Sequence, residues 1–289
     1  MKKTLLTLSL ICSALFLKAQ DDKISYKFDY GKSSAKDGGA KFFDNNLTLR
    51  IPIQSGLKSR FTVGAEVDVL SMSSTASQAD ANPLETVGLI FGYMHLMQGK
   101  IFTIHAEPML ASDFQQLSAN DFRFKSQAII LLNTDHKFAY GLGLGYQYQF
   151  SGSQLIPVLT TIWRISDHVT LSGLLPIIPR LDFKLNQKWS IGGGINGDYS
   201  SYRLNAFNNR YIQYQNWNFG LTGKYKPTPR FEIGALLGVG TRHITIYNAD
   251  QKVPLRIYSW NIGGGSHVPD FDQKYKGLAL NFSMAYKIP

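Results

Sequence analysis

From Phe138 to Phe150 the chain alternates without a break. Phe138, Tyr140, Leu142, Leu144, Tyr146, Tyr148 and Phe150 fall on one parity, and Ala139, Gly141, Gly143, Gly145, Gln147 and Gln149 on the other. Successive side chains of a strand point to opposite faces, so this stretch has one apolar, aromatic face and one small, polar face. Strands of soluble proteins run about five to six residues. A tilted membrane-spanning strand needs about 9–11 and carries aromatic residues where it meets each interface. The alternation therefore favours a strand with lipid on one side and a lumen on the other.

The pattern recurs. Leu47, Leu49, Ile51 and Ile53 oppose Thr48 and Arg50, and Phe61, Val63, Ala65, Val67 and Val69 oppose Thr62, Gly64, Glu66 and Asp68. Val87, Leu89, Phe91 and Tyr93 form another apolar row. Trp217, Phe219, Leu221 and Tyr225 oppose Asn216, Asn218, Gly220, Thr222 and Lys224, and Leu278, Leu280, Phe282, Met284 and Tyr286 oppose Gly277, Ala279, Asn281, Ser283 and Ala285. A water-soluble sandwich would also bury its apolar rows. Its outer faces would be charged, whereas here they are small and polar. In lipid every backbone group must be paired, and a closed sheet achieves that. The expectation is an all-β, closed, antiparallel transmembrane β-barrel.

Turn-forming residues divide the chain into fourteen candidate strands: 23–30, 44–54, 60–71, 86–97, 100–110, 122–133, 137–150, 155–165, 168–176, 179–186, 188–200, 212–226, 231–243 and 276–288. Twelve is the alternative, because Pro157, Pro176 and Pro179 interrupt the region 155–186. Short connections fall near 55–59, 98–99, 134–136, 166–167, 187 and 227–230. Longer ones fall near 31–43, 72–85, 111–121, 201–211 and 244–275. Outer-membrane barrels have short periplasmic turns and long external loops, which places both strand-bearing ends on the periplasmic side.

The beginning of the chain points to export. Lys2 and Lys3 precede an apolar stretch from Leu5 to Leu17, and Ala19 offers a small residue for cleavage. This is the plan of a secretory signal peptide over 1–19, with the barrel domain over 20–289. Cys12 is the only cysteine and sits in a poor lipobox, so the mature domain has no disulfide, cysteine nucleophile or cysteine-ligated metal. Of the net charge of +10, Lys2, Lys3 and Lys18 contribute three, leaving +7 without a run of five like charges, which excludes a nucleic-acid patch. Charged residues make up 17%, where soluble proteins average about 25%, and that deficit favours a lipid-facing surface.

Three segments carry a family likeness: Lys18-Ala19-Gln20, the hairpin from Trp217 through Tyr225-Lys226-Pro227-Thr228-Pro229 to Phe231, and Leu175-Pro176-Ile177-Ile178-Pro179-Arg180. With them the chain resembles the Bacteroidota outer-membrane β-barrel families of unknown function. The resemblance implies a barrel in the outer membrane of a Gram-negative bacterium, in contact with outer-membrane lipid and with the barrel-assembly machinery during biogenesis. It carries over no catalytic residues. One departure is the ending Tyr286-Lys287-Ile288-Pro289, where many such barrels close on an aromatic residue.

Gly192, Gly194 and Gly197 satisfy G-x-G-x-x-G, but Asp198 to Tyr202 shows no helical period, as a dinucleotide site requires. His105 and Glu107 share a face, and Ser126 and Ser190 are the serines a hydrolase would recruit. The six histidines (His95, His105, His136, His168, His243 and His267) show no ligand spacing, though His243 and His267 flank the long loop. No cofactor, metal or enzymatic activity is expected. The inward register instead carries both signs of charge: Arg50, Glu66, Asp68, His105, Glu107, Arg123, Lys125, Asp182, Lys184, Lys224 and Glu232. Such a lining either neutralises a filled interior or selects permeants along a wet path. The expected function is a porin-like, passive pore or transporter for small solutes, narrowed or gated by loop 244–275. The alternatives are a non-conducting structural or surface-binding barrel and, third, an outer-membrane hydrolase.

Overall fold

The computed structural model describes residues 24–35, 38–54, 56, 58–74, 82–132, 137–175, 178–205, 210–257, 260–262 and 268–287. The expected signal segment, Cys12, His136, His267, Pro176, Tyr258, the glycines at 263–265 and the last two residues lie outside these. The strands are β1 (Ile24–Ala35), β2 (Gly38–Gln54), β3 (Ser59–Ser74), β4 (Leu84–Met97), β5 (Lys100–Ser112), β6 (Phe122–Leu132), β7 (Phe138–Gln149), β8 (Gly152–Arg164), β9 (Val169–Leu175), β10 (Ile178–Lys184), β11 (Trp189–Leu204), β12 (Arg210–Thr228), β13 (Phe231–Tyr247), β14 (Val253–Ile257), β15 (Trp260–Ile262) and β16 (Phe271–Tyr286). Each of β1 to β12 pairs with the next, β13 pairs with β16, and β16 returns to β1. The result is a closed, antiparallel, 14-strand barrel. The other two strands, β14 and β15, form a small hairpin that joins the wall at β8. Among the described residues no helix is long and apolar enough to cross a membrane.

The alternation sets the outer surface. Leu47, Ile51, Leu89, Phe91, Leu142, Leu144, Leu221, Leu237 and Val239 all project outward and stay exposed. Exposed leucines in register from strand to strand make a continuous apolar belt, which water penalises and hydrocarbon accepts. Trp163 and Trp189 stand at its short-turn rim, where Trp189 stacks on Tyr225 and Trp163 meets Phe138 edge-on. The short turns need little chain. Gly99, at φ +67°, closes the two-residue link from β4 to β5 in a conformation that side chains disfavour.

The opposite end departs from the expected loops. Residues 31–43 continue the β1–β2 ladder out to Ala35 and Gly38. Ser-, Lys- and Gly-rich sequence there read as loop, but the described residues of the segment pair with one another along the ladder, which outweighs weak strand propensity. The long segment 244–275 is largely strand as well, extending β13, forming β14 and β15, and starting β16. By contrast β9 and β10 have only seven residues each. Gly173, at φ +130°, lets β9 lie against the Ile178 carbonyl where a Cβ would collide.

Inside, the barrel is divided. The upper part of β11, toward the long-loop end, crosses to the far wall. Arg203 pairs with Ser112 of β5, and its carbonyl accepts the Asp113 N–H at 3.1 Å. The Arg203 Nε lies 2.5 Å from Asp121 Oδ1 in the 3₁₀ turn Ala119–Asp121, both side chains being buried. This crossing pinches the lumen into two lobes. One lobe is filled at the long-loop end by Phe42, Leu70, Met72, Leu84, Tyr202, Leu204, Ile212, Tyr214, Ile244 and Tyr275. The other is filled at the short-turn end by Met94, Ile101, Ile129, Leu131 and Val158. Apolar packing thus closes opposite ends of the two lobes.

Candidate functional site

Each lobe keeps a chamber where its apolar fill stops. The first, of about 680 Å³, runs from the short-turn end to mid-barrel. Its lining includes Lys27, Asp29, Asp44, Asn46, Arg50, Glu66, Asp68, Asn216, Asn218, Lys224 and Glu232. These are the inward parities of β1–β3, β12 and β13, so the alternation that builds the lipid belt also builds this wet wall. The Asn46 amide donates to Glu66 at 2.8 Å and to Asp68 at 3.4 Å, and the Tyr202 hydroxyl donates to Asp68 at 3.4 Å.

The roof of the first chamber is a buried charge. Arg242 has no exposed side-chain surface and lies 3.2 Å from Asp29, beneath the Phe42 ring. Asp29 also accepts from Asn216 at 3.0 Å and Asn218 at 2.6 Å. Room for the guanidinium comes from Gly31, where a Cβ would fall directly on it. A counter-charge of this kind is what makes a buried cation tolerable.

The second chamber, of about 660 Å³, sits toward the long-loop end of the other lobe. His105, Glu107, Gln127, Gln147, Gln154 and Arg256 give it polar walls, and Ile156, Val158, Leu174, Ile178 and Trp217 give it an apolar side. The two chambers meet at mid-barrel, where both are lined by Lys125, Leu174, Ile178, Gly197 and Asp198. Lys125 lies within the field of Asp198, Glu66, Glu107 and Asp68. The Ser200 hydroxyl donates to Asp198 at 2.6 Å. Above the second chamber the end is packed. Arg123 covers Phe150, Phe150 stacks on Tyr211 at 5.9 Å, and Tyr211 stacks on Tyr247 at 5.3 Å.

The residues singled out from the sequence are distributed unevenly. Arg50, Glu66, Asp68, Lys125, Lys224 and Glu232 line the first chamber, and His105, Glu107 and Lys125 line the second. Asp182 holds Lys224 in an ion pair of 3.1 Å, and Glu232 is 2.8 Å from Lys226. Arg123 lines neither chamber. It is buried at the packed end, donating to the carbonyls of Asn120 and Phe122. Lys184 is exposed at the short-turn end of β10.

Trp217 requires a correction: its parity placed it on lipid, but it lines the second chamber. The reason is that β11 and β12 leave the outer cylinder, so their outward parity turns toward an interior space. Gly197 makes that possible, since a Cβ there would enter the Trp217 ring.

His105 and Glu107 lie 3.5 Å apart. Ser126 borders the same chamber as His105 and Glu107, but it pairs with Ala106, so strand alternation directs its side chain to the face opposite His105, and Ser190 pairs with Lys224 on distant strands. The serine-hydrolase grouping therefore does not assemble. The three glycines of the G-x-G-x-x-G match lie within β11, with no helix after them. His243 pairs with Asp272 at 2.7 Å, and no metal-holding cluster occurs among the described residues. Sequence reasoning missed Asp29, Asp44, Asp198 and Arg242. The first three lie next to glycine- or asparagine-rich stretches, and Arg242 follows Gly238 and Gly240 on the inward parity of β13, a signal that was available.

A family model described as "Domain of unknown function (DUF6268)" matches residues 23–252. No curated protein matches the sequence. Among solved structures, an outer-membrane channel from Pseudomonas putida F1 is similar at 9% identity and a TM-score of 0.43, covering 91% of this chain and 94% of that one. The NanC porin is similar at 10% identity and a TM-score of 0.38, covering 92% and 100% respectively. The KdgM porin, described in complex with disordered oligogalacturonate, is similar at 10% and 0.36, covering 92% and 99%. Likenesses this distant say nothing about activity.

Proposed function

We propose that this chain, which belongs to the family described as "Domain of unknown function (DUF6268)", is an exported outer-membrane barrel that passes small solutes through its divided lumen. The observation that carries the reading is the junction of the two chambers at Lys125 and Asp198. A solute crossing from one lobe to the other passes a cation and a carboxylate, and charged groups in a narrow, low-dielectric passage select by sign. The leader, the Bacteroidota likeness and the periplasmic placement of the short turns belong to the same proposal. So does the selective role of Arg50, Glu66, Asp68, His105, Glu107, Lys125, Lys224 and Glu232. Contact with the barrel-assembly machinery follows from the outer-membrane location.

The test is conductance of the refolded protein in a planar lipid bilayer, with Lys125→Glu beside it. Discrete steps whose cation preference rises in the variant support the reading. A folded wild-type barrel without steps sinks it. A second reading has an observation of its own, the apolar fill at the long-loop end. A barrel closed there serves as a structural or surface-binding protein, and silence in the bilayer would favour that role.

A further inference from the structure

The long-loop end is shut over the second chamber. Arg123, Gln149, Phe150, Ser201, Tyr211 and Gln213 are all buried there. The Ser201 hydroxyl ties that layer together, donating to Gln149 at 2.8 Å and accepting the Phe150 N–H at 2.9 Å. The side wall beside this chamber is built differently. Seven residues reach about 23 Å along a strand, or about 18 Å of membrane height at a tilt of about 40°, against an apolar belt about 25 Å tall. The β9–β10 hairpin is therefore too short to seal its sector.

The ladders show the shortfall directly. On its β9 side, β8 pairs from Leu159 onward, and Gly152 to Leu155 are taken instead by β14 in parallel. Ile156 to Val158 fall between the two ladders. The ladder from β10 to β11 ends at Gly194, and among the described residues β11 meets no other strand on that side until Arg203. Among the described residues β15 pairs only with β14. Among the described residues the Arg256 Nη1 donates to the Tyr199 hydroxyl across the remaining space at 3.1 Å, and that hydroxyl also lies 3.2 Å from the Ser151 hydroxyl at the β7–β8 turn.

We propose that this interval between the β14–β15 hairpin and β11, above the β9–β10 hairpin, is a lateral portal through which an amphipathic small molecule moves between the second chamber and the membrane. The proposal deepens the solute-passage reading, on which it rests, by naming the exit and the ligand class. Ile156, Val158, Leu174, Ile178 and Trp217 form an apolar flank at the portal, facing amide and charged groups across the chamber. A ligand with an apolar body and a hydrogen-bonding head satisfies both walls, whereas a fully hydrated ion would strand the apolar one.

Trp217 reports on the portal. With Trp163, Trp189 and Trp260 replaced by Phe and Cys12 by Ser, the refolded protein is placed in vesicles of brominated or ordinary phosphatidylcholine. Brominated chains that enter the portal should quench Trp217 within twofold of a control retaining only Trp163, an exposed belt residue. Bridging Tyr199→Cys to Arg256→Cys with a short bismaleimide should restore the fluorescence. Quenching of the Trp163 control with none at Trp217 overturns the proposal. Quenching that the bridge does not relieve also overturns it, because Trp217 would then face lipid outright. If the Trp-to-Phe variant does not fold, a fluorophore on Ile156→Cys reads the same contact with the same outcomes. Conductance separates the two readings. A silent barrel with relievable Trp217 quenching sinks aqueous passage and leaves the portal standing, and a conducting barrel with unquenched Trp217 does the reverse.

Discussion

Replacing Asp29 by Ala should destabilise the barrel far more than replacing its partner Arg242 by Met. The two members of this ion pair sit in different surroundings. The Arg242 side chain is 0% exposed and Asp29 is 16% exposed, on the wall of the first chamber. In Asp29→Ala the guanidinium remains buried without its counter-charge. Its Nε and Nη1 have no hydrogen-bond partner among the described residues, and the Asn218 Oδ1 that stays 3.4 Å from Nη2 is neutral and supplies no counter-charge. Asn216 and Asn218 lose their acceptor as well. Removing one partner of a buried pair costs about 3–5 kcal/mol, and about 3 kcal/mol is roughly two orders of magnitude in the unfolding equilibrium. In Arg242→Met the carboxylate keeps both asparagine amides and gains chamber water. The loss is then about one charge-assisted hydrogen bond, roughly 1.5–3 kcal/mol, offset by the apolar packing of Met under Phe42. The double variant should recover most of the Asp29→Ala loss. Urea unfolding of the vesicle-refolded protein, followed by tryptophan fluorescence over the full double-mutant cycle, measures all three values. Equal costs for the two single variants, or a double variant no better than Asp29→Ala, would refute the reasoning.

Three further outcomes are expected. Asp121→Ala should cost about 3–5 kcal/mol by stranding buried Arg203 and should raise single-channel conductance by loosening the crossing of β11, which paired unfolding and bilayer recordings would detect. Leu142→Arg, on the lipid belt, should cost about 2–4 kcal/mol, whereas Gln147→Arg on the chamber wall should cost much less, as vesicle refolding yields will show. Gly31→Ala should destabilise the barrel, because the added methyl falls on the Arg242 guanidinium, and the penalty should largely vanish in an Arg242→Met background.

The lipid belt was legible because its chemistry repeats with the geometry of a strand. Leu47, Leu89, Leu142 and Leu280 could be placed outward from parity alone. The fourteen-strand ring followed from the turn residues between such rows. The division of the lumen was not legible. Tyr202, Ile212, Tyr214, Ile244 and Ile246 continue the alternation of their strands, and parity cannot say whether an inward face meets water or another wall. One trace did exist: Ile244 to Tyr247 is apolar or β-branched on both parities, as expected where both faces of a strand are covered. Trp217 was misplaced for the same reason: it has the parity assigned to it, but the sheet around it leaves the cylinder. The shortness of β9 and β10 was half visible in Pro176 and Pro179.

The pairing of β1 with β16 has a kinetic consequence. Tyr26 lies opposite Met284, and Phe28 opposite Phe282. Every other ladder of the ring joins strands close in sequence, except that β13 reaches β16 across the β14–β15 excursion. Neighbouring hairpins can therefore zip up locally, while the last seam waits for the two extremes of the chain to meet. Contacts of such long range are slow to form. Until they do, the nascent sheet exposes two bare edges, each a template for pairing with another molecule. The step that completes this barrel is thus also the step at which it is most exposed to misassembly, and a helper that held β1 until β16 arrived would shorten that interval.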